Sequence, residues 1–212
     1  MSMQADTSHL ERSRLYSEEL CIDLKSNRDE ELFKWFLASI LFGARISETI
    51  AKNTYKSFEK YGLLTPQGIM KAGRDFLVYP VMREGEYIRY DELTSAKLLK
   101  ICETLTKDYN RSLKELHRQA KDSADLENKI TSFYGIGPVT ANIFLRELRP
   151  FWKKSDPEPL PVVKKIARIH NINLGRYQRK TIAFARVEAG LIRLRKEKEI
   201  LKKHKDNKNK HS

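Results

Sequence analysis

Phe133-Tyr134-Gly135-Ile136-Gly137-Pro138-Val139-Thr140-Ala141-Asn142 sets two glycines, one residue apart, between two helical patterns. Leu126, Ile130 and Phe133 recur at helical spacing before the turn, and Val139, Ile143, Phe144 and Leu148 continue after it. Pro138 suits the first turn of the second helix, where an amide hydrogen has no partner within the helix. Gly135 and Gly137 keep the turn bare of side chains, so its amides can come close to a ligand. Amides at a helix N-terminus favour an anion, commonly a phosphate. The spacing therefore predicts a helix, a hairpin and a second helix that grip a nucleic-acid phosphate. A plain glycine turn between packed helices fits the same residues.

Charge strengthens the first reading. The chain of 212 residues carries a net charge of +13. From Arg149 onward there are 19 Lys or Arg against 6 Asp or Glu, whereas residues 1–148 hold 22 of each sign. All the excess positive charge follows the hairpin, as a polyanion-binding face and tail would require. A basic tail solvated by water alone would look the same. At 40% hydrophobic and 33% charged, the composition is globular. No apolar run is long enough to cross a bilayer, and the first residues lack the apolar core of a secretion signal. A cytoplasmic protein that avoids membranes is expected, associated with the nucleoid if the source is prokaryotic. Cys21 and Cys102 cannot supply a four-cysteine metal site. No cofactor or metal is expected, and both thiols are expected to be at least partly buried.

The periodicities predict an all-α fold in two lobes. Residues 1–28 form an N-terminal segment with a mobile start. Residues 29–148 form a helical body that includes the hairpin at about 125–148. Residues 149–203 form basic C-terminal helices packing with the N-terminal segment, and 204–212 a disordered basic tail. Within the body, the strongest helix opens near Glu31 after capping residues Asn27 to Glu30. Ser47 caps the next helix, Thr65-Pro66 starts a third with Ile69 and Met70 inward, and Gly73 closes it. A helix from Asp91 to Tyr109 buries Leu93, Ala96, Leu99, Ile101 or Cys102, and Leu105. A polar helix runs from Ser112 to Lys121, and Asp122 to Asp125 caps the first hairpin helix. Four prolines make Pro150–Pro161 a loop. Helices from Val162 to His170 and from Tyr177 through Leu201 complete the chain.

Three stretches in this order resemble the helix-hairpin-helix DNA glycosylases, the endonuclease III superfamily. Tyr134 to Ala141 is similar to the family's hairpin, Glu31 to Leu41 to its first long core helix, and Tyr90 to Leu99 to the start of a later helix. The resemblance spans roughly Glu30 to His170. It implies a damaged base turned out of a DNA duplex into a cleft between two lobes. It also implies double-stranded DNA as the partner, held mainly through phosphates, and a monomer. Gly135, Ile136, Gly137, Val139 and Thr140 are then the backbone-binding residues. Lys164, Lys165 and Arg168, at one-, three- and four-residue spacing, continue the phosphate track. Lys153, Lys154, Arg176, Arg179 and Lys180 add to this basic cluster, with no compensating acids expected among them. Tyr90 is a candidate for the base pocket, with Tyr87 and Trp35 as further stacking candidates. Arg45 and Ser47 are candidates to fill the gap left by the extruded base.

The departures matter as much. Where relatives that cut the sugar carry a Schiff-base lysine, this chain has Val139. Where relatives without that lysine place an aspartate, Leu160-Pro161-Val162-Val163 offers no acid. Asp156 and Glu158, a few residues earlier, are the catalytic candidates, with solvent-exposed loop acids as the plainer reading. An iron–sulfur cluster is excluded by the cysteine count. His117 and His170 are expected at the surface. Three functions remain open: a binder of damaged or distorted duplex DNA with altered or lost catalysis, an active monofunctional glycosylase, and a non-catalytic architectural duplex binder.

Overall fold

The computed structural model describes residues 8–194. The expected disordered tail at 204–212 and the end of the last helix lie outside these residues. Among them the fold is all-α, with no strand and no helix long and apolar enough to cross a membrane.

The body is built on α3, Asp29–Phe42. Ten of its fourteen residues are buried, including the whole run from Trp35 to Leu41. Such a helix is apolar all round because helices surround it. It follows α1 (Ser8–Glu11) and α2 (Tyr16–Glu19) and packs against α4 (Glu48–Lys60) and α9 (Pro138–Leu148). Between them, α5 (Pro66–Phe76) packs on α6 (Asp91–Tyr109), and α7 (Leu113–Gln119) leads to α8 (Ser123–Thr131). Phe36 sits at the centre, its ring 5.5 Å from Phe133 and 5.0 Å from Phe144. One aromatic residue of the central helix therefore meets both the turn after α8 and the middle of α9.

Most boundaries follow local chemistry. Ser47 accepts the amide of Ile50 and caps α4, Thr65 caps α5 with Pro66 next, and Asp122 caps α8 through the amide of Asp125. Gly73, at φ 72° and ψ 173°, breaks the helical path of α5, and Leu77–Met82 then winds as a π-helix.

Several expectations are corrected. No side chain of Asn27–Glu30 caps α3: Arg28 holds the N-cap position without a side-chain bond, and the Asp29 carboxylate instead accepts from Ser112 and from the Lys114 amide at the start of α7. Met70 and Leu93 are exposed. The buried face of α6 runs through Thr94, Ser95, Leu98, Ile101, Cys102 and Leu105, and Leu93 lies off that arc, with Ala96 and Leu99 at its edge. Cys21 is exposed, whereas burial pushes the Cys102 thiol up to about 12.

The C-terminal part comprises α10 (Pro161–Ile169) and α11, which begins at 182 and is described to 194. The expected start at Tyr177 is corrected: Leu174–Arg176 is a 3-10 turn, and Thr181 caps α11 by accepting the Phe184 amide. A second cluster joins Leu10 to Val163, Ile166, Ala167, Ile172, Val187 and Leu191. Gly190 makes room for this, since a Cβ there would stand 2.7 Å from a methyl of Leu10.

Candidate nucleic-acid interface

The turn between α8 and α9 is built from the glycines outward. The Ile136 amide donates to the Phe133 carbonyl at 3.0 Å, closing a tight turn with Gly135 at φ 71°. That left-handed conformation is the reason for a glycine there. Phe133 and Ile136 point into the core, and Tyr134 and Val139 point out. Gly137 is the N-cap of α9, Pro138 follows, and a side chain on Gly137 would meet nothing within 4 Å. The first intrahelical bond runs from Ala141 to the Gly137 carbonyl. The amides of Gly135, Gly137, Val139 and Thr140 donate to no acceptor among the described residues. Unpaired amides opening a helix carry partial positive charge toward solvent.

One of the expected backbone-binding residues, Ile136, is corrected, and Thr140 keeps a free amide but not an exposed side chain. Ile136 has both its amide and its side chain engaged inside the turn. The Thr140 side chain is buried against Gly43, where a Cβ would stand 2.1 Å from its hydroxyl oxygen. That contact lets the end of α3 approach the start of α9. Gly135, Gly137 and Val139 remain accessible.

On the α6 side, two lysines flank the turn. Lys97 lays its stem along Gly135, and the Lys100 ammonium sits 4.1 Å from the centroid of the Tyr134 ring. Neither stands out by its spacing, because two lysines three apart on a helix are commonplace.

The C-terminal basic residues have more acidic company than expected. Asp156 accepts from Arg179 Nε at 2.9 Å and lies 3.5 Å from Arg149 Nε. Glu158 pairs with Lys164 at 2.8 Å and with Arg179. Those hydrogen bonds, Lys164 first, hold its carboxyl down to about 2. Asn142 of α9 donates to the Glu158 carbonyl at 2.7 Å and anchors the loop. Nearby Glu127 on α8 has its pKa raised by burial and then by the Glu158 charge, a feature that nothing in the linear pattern announces. Lys154 caps α7, and Lys180 donates to the Lys153 carbonyl at 2.6 Å. Lys165, Arg168 and Arg176 are exposed without an ion pair among the described residues.

A groove of about 530 Å³ joins Glu158, Lys164, Arg168 and Arg179 over a floor that includes Phe184 and Ile172. Asp156 and the hairpin residues do not line it. The candidate pocket residues are separately placed. Tyr90 is half-buried with the Arg89 guanidinium 5.2 Å from its ring, and Arg45 is exposed after α3. Ser47 is engaged as a helix cap. Trp35 and Tyr87 are core residues: the indole donates to the Phe144 carbonyl at 3.0 Å, and the Tyr87 hydroxyl meets that of Thr94 at 2.8 Å. His117, expected at the surface, stacks on Trp152 with ring centroids 4.5 Å apart.

Among the described residues no group of His, Cys, Asp or Glu could hold a metal ion. Comparison of the chain with family models, curated proteins and solved structures finds no match.

Proposed function

We propose that this chain binds duplex DNA through the α8–α9 hairpin, as a relative of the helix-hairpin-helix glycosylases that recognises damaged or distorted DNA with altered or lost catalysis. The observation that carries the reading is the set of unpaired amides at Gly135, Gly137 and Val139, on a turn with no side chain at Gly135 or Gly137 to block a phosphate. From Asn128 to Arg146 the chain carries no Asp or Glu, so nothing there repels a polyanion. Lys165, Arg168 and Arg176 add sequence-independent attraction.

Lost or altered chemistry has its own support. Val139 offers no amine at the hairpin. The carboxylates of Asp156 and Glu158 are both held by Arg179. A carboxyl at about 2, as in Glu158, takes up a proton poorly and makes a weak base near neutrality.

Fluorescence anisotropy with a labelled duplex tests the binding. Affinity should drop by orders of magnitude between about 50 and 200 mM salt, as counterion release requires. Gly137→Asp should weaken binding at least tenfold by placing a charge at the amides. There a carboxylate that repels the phosphate replaces charge-assisted hydrogen bonds to it, a change of more than ~1.4 kcal/mol. Its thermal midpoint should hold, because the added side chain meets open space. Equal binding by the variant removes the hairpin from the interface. Incubation with duplexes bearing uracil, alkylated or oxidised bases addresses chemistry. Base release that disappears in Asp156→Asn or Glu158→Gln would replace this reading with that of an active monofunctional glycosylase.

A further inference from the structure

Lys97 is a half-buried lysine without a counter-ion. Its Cγ, Cδ and Cε lie so close to Gly135 that a Cβ there would stand 3.4, 3.2 and 3.1 Å away. Its ammonium makes no hydrogen bond or ion pair among the described residues. Burial alone lowers its pKa, with no acid near enough to offset the loss of solvent. A desolvated charge without a partner is unfavourable, and a methionine would fill the same space at no electrostatic cost. One turn further along α6, Lys100 is exposed and sits over the Tyr134 ring. Residues three apart share a helix face, so both ammoniums lie on the side of α6 that meets the hairpin.

The free amides and the two lysines thus converge on the same turn from different elements. We infer that Lys97 and Lys100 are phosphate ligands, extending the hairpin contact onto α6 so that this helix carries part of the DNA backbone. The inference rests on the hairpin reading and extends it to a helix outside the basic C-terminal segment. An anion on Lys97 would supply the counter-charge that the fold leaves out. Tyr134 holds the exposed Lys100 through its ring face, an attraction that survives partial exposure to water.

Salt dependence separates this role from simple packing of the Lys97 stem. The full chain is titrated onto a labelled duplex between about 50 and 200 mM salt, and the slope of log affinity against log salt is compared among variants. Lys97→Met keeps the stem, and Lys100→Met removes an exposed charge. Each should flatten the slope by about 0.9, and the double variant by about twice that. Lys97→Arg should restore the wild-type slope, and Lys107→Met at the far end of α6 should leave it unchanged. Should Lys97→Met fail to fold, the slope of Lys100→Met decides. Wild-type slopes in Lys97→Met and Lys100→Met, together with weakened binding by Gly137→Asp, overturn the inference and leave the hairpin reading intact. Indifference of all three variants defeats the hairpin reading itself.

Discussion

His117 shows how a single side chain can change character on folding. It lies 4.5 Å from Trp152, centroid to centroid, and its Nε2 accepts the Lys154 amide at 3.4 Å. Burial, and then the Lys154 charge, hold its pKa below the ordinary value. The unfolded chain therefore takes up the proton first, at about 6.5. Stability from this residue is complete above that pH and declines as pH falls toward the lower folded value. His117→Phe keeps a stacked ring and removes the titration. The difference in thermal midpoint between wild type and variant should shift against the wild type from about pH 7.5 to 5. A constant difference across that interval would show that the imidazole is not held neutral. Thr140 teaches the same lesson from the other direction: its place at the start of α9 suggested an exposed contact, and the approach of Gly43 buries it.

At the level of elements, helices bounded by their own residues were the legible ones. The expected limits of α6, Asp91 and Tyr109, are those observed, and Asn110 ends it in a left-handed conformation. The Ser47 and Asp122 caps likewise act within their own sequence neighbourhood. In contrast, α7 opens on its own cap, Ser112, which accepts the Glu115 amide, but distant residues complete both of its ends. Asp29 serves its first turn, and Lys154 donates to the carbonyls of His117 at 2.8 Å, Arg118 at 3.0 Å and Ala120. A cation at a helix C-terminus satisfies orphan carbonyls and opposes the helix dipole. Lys154→Met should lower unfolding free energy by about 1.5–3 kcal/mol in urea titration, the range for a charge-assisted hydrogen bond. Lys153→Met, an exposed neighbour, should have little effect. Equal midpoints for the two variants would exclude the capping role.

Across the whole molecule, Arg149 is the joint between body and C-terminal part. It closes α9, pairs with Glu188 of α11, donates to the Pro157 carbonyl and places its guanidinium 5.0 Å from the centroid of the Phe184 ring. Both members of the ion pair are fully buried. Such a pair adds less net stability than its attraction suggests, but losing one member strands the other charge. Arg149→Met should cost about 3–5 kcal/mol of unfolding free energy, and adding Glu188→Leu should recover much of it. Chemical denaturation of the single and double variants checks this; equal losses in both would show that packing, not the stranded carboxylate, sets the cost. Glu147 ties α2 to α9 in a related way, its carboxylate accepting the Tyr16 and Ser17 amides at 3.1 Å each.

The helical class, the central apolar helix, the two-glycine turn and the segregation of charge could all be read from the chain. Each depends on residues within a turn or two of one another, or on simple counts. The partners of charged side chains could not be read this way. Lys154, Lys164 and Arg179 looked like parts of a free basic track, and the fold assigns them a helix end and two loop carboxylates. Lys97 looked ordinary, and the fold sets it against the hairpin without an acid. Local propensity and periodicity act along the chain, whereas an ion pair or a missing counter-ion depends on which helices meet. The opening stretch keeps its bare turn and open amides, and packing decides that Gly135, Gly137 and Val139 face outward while Ile136 and Thr140 do not.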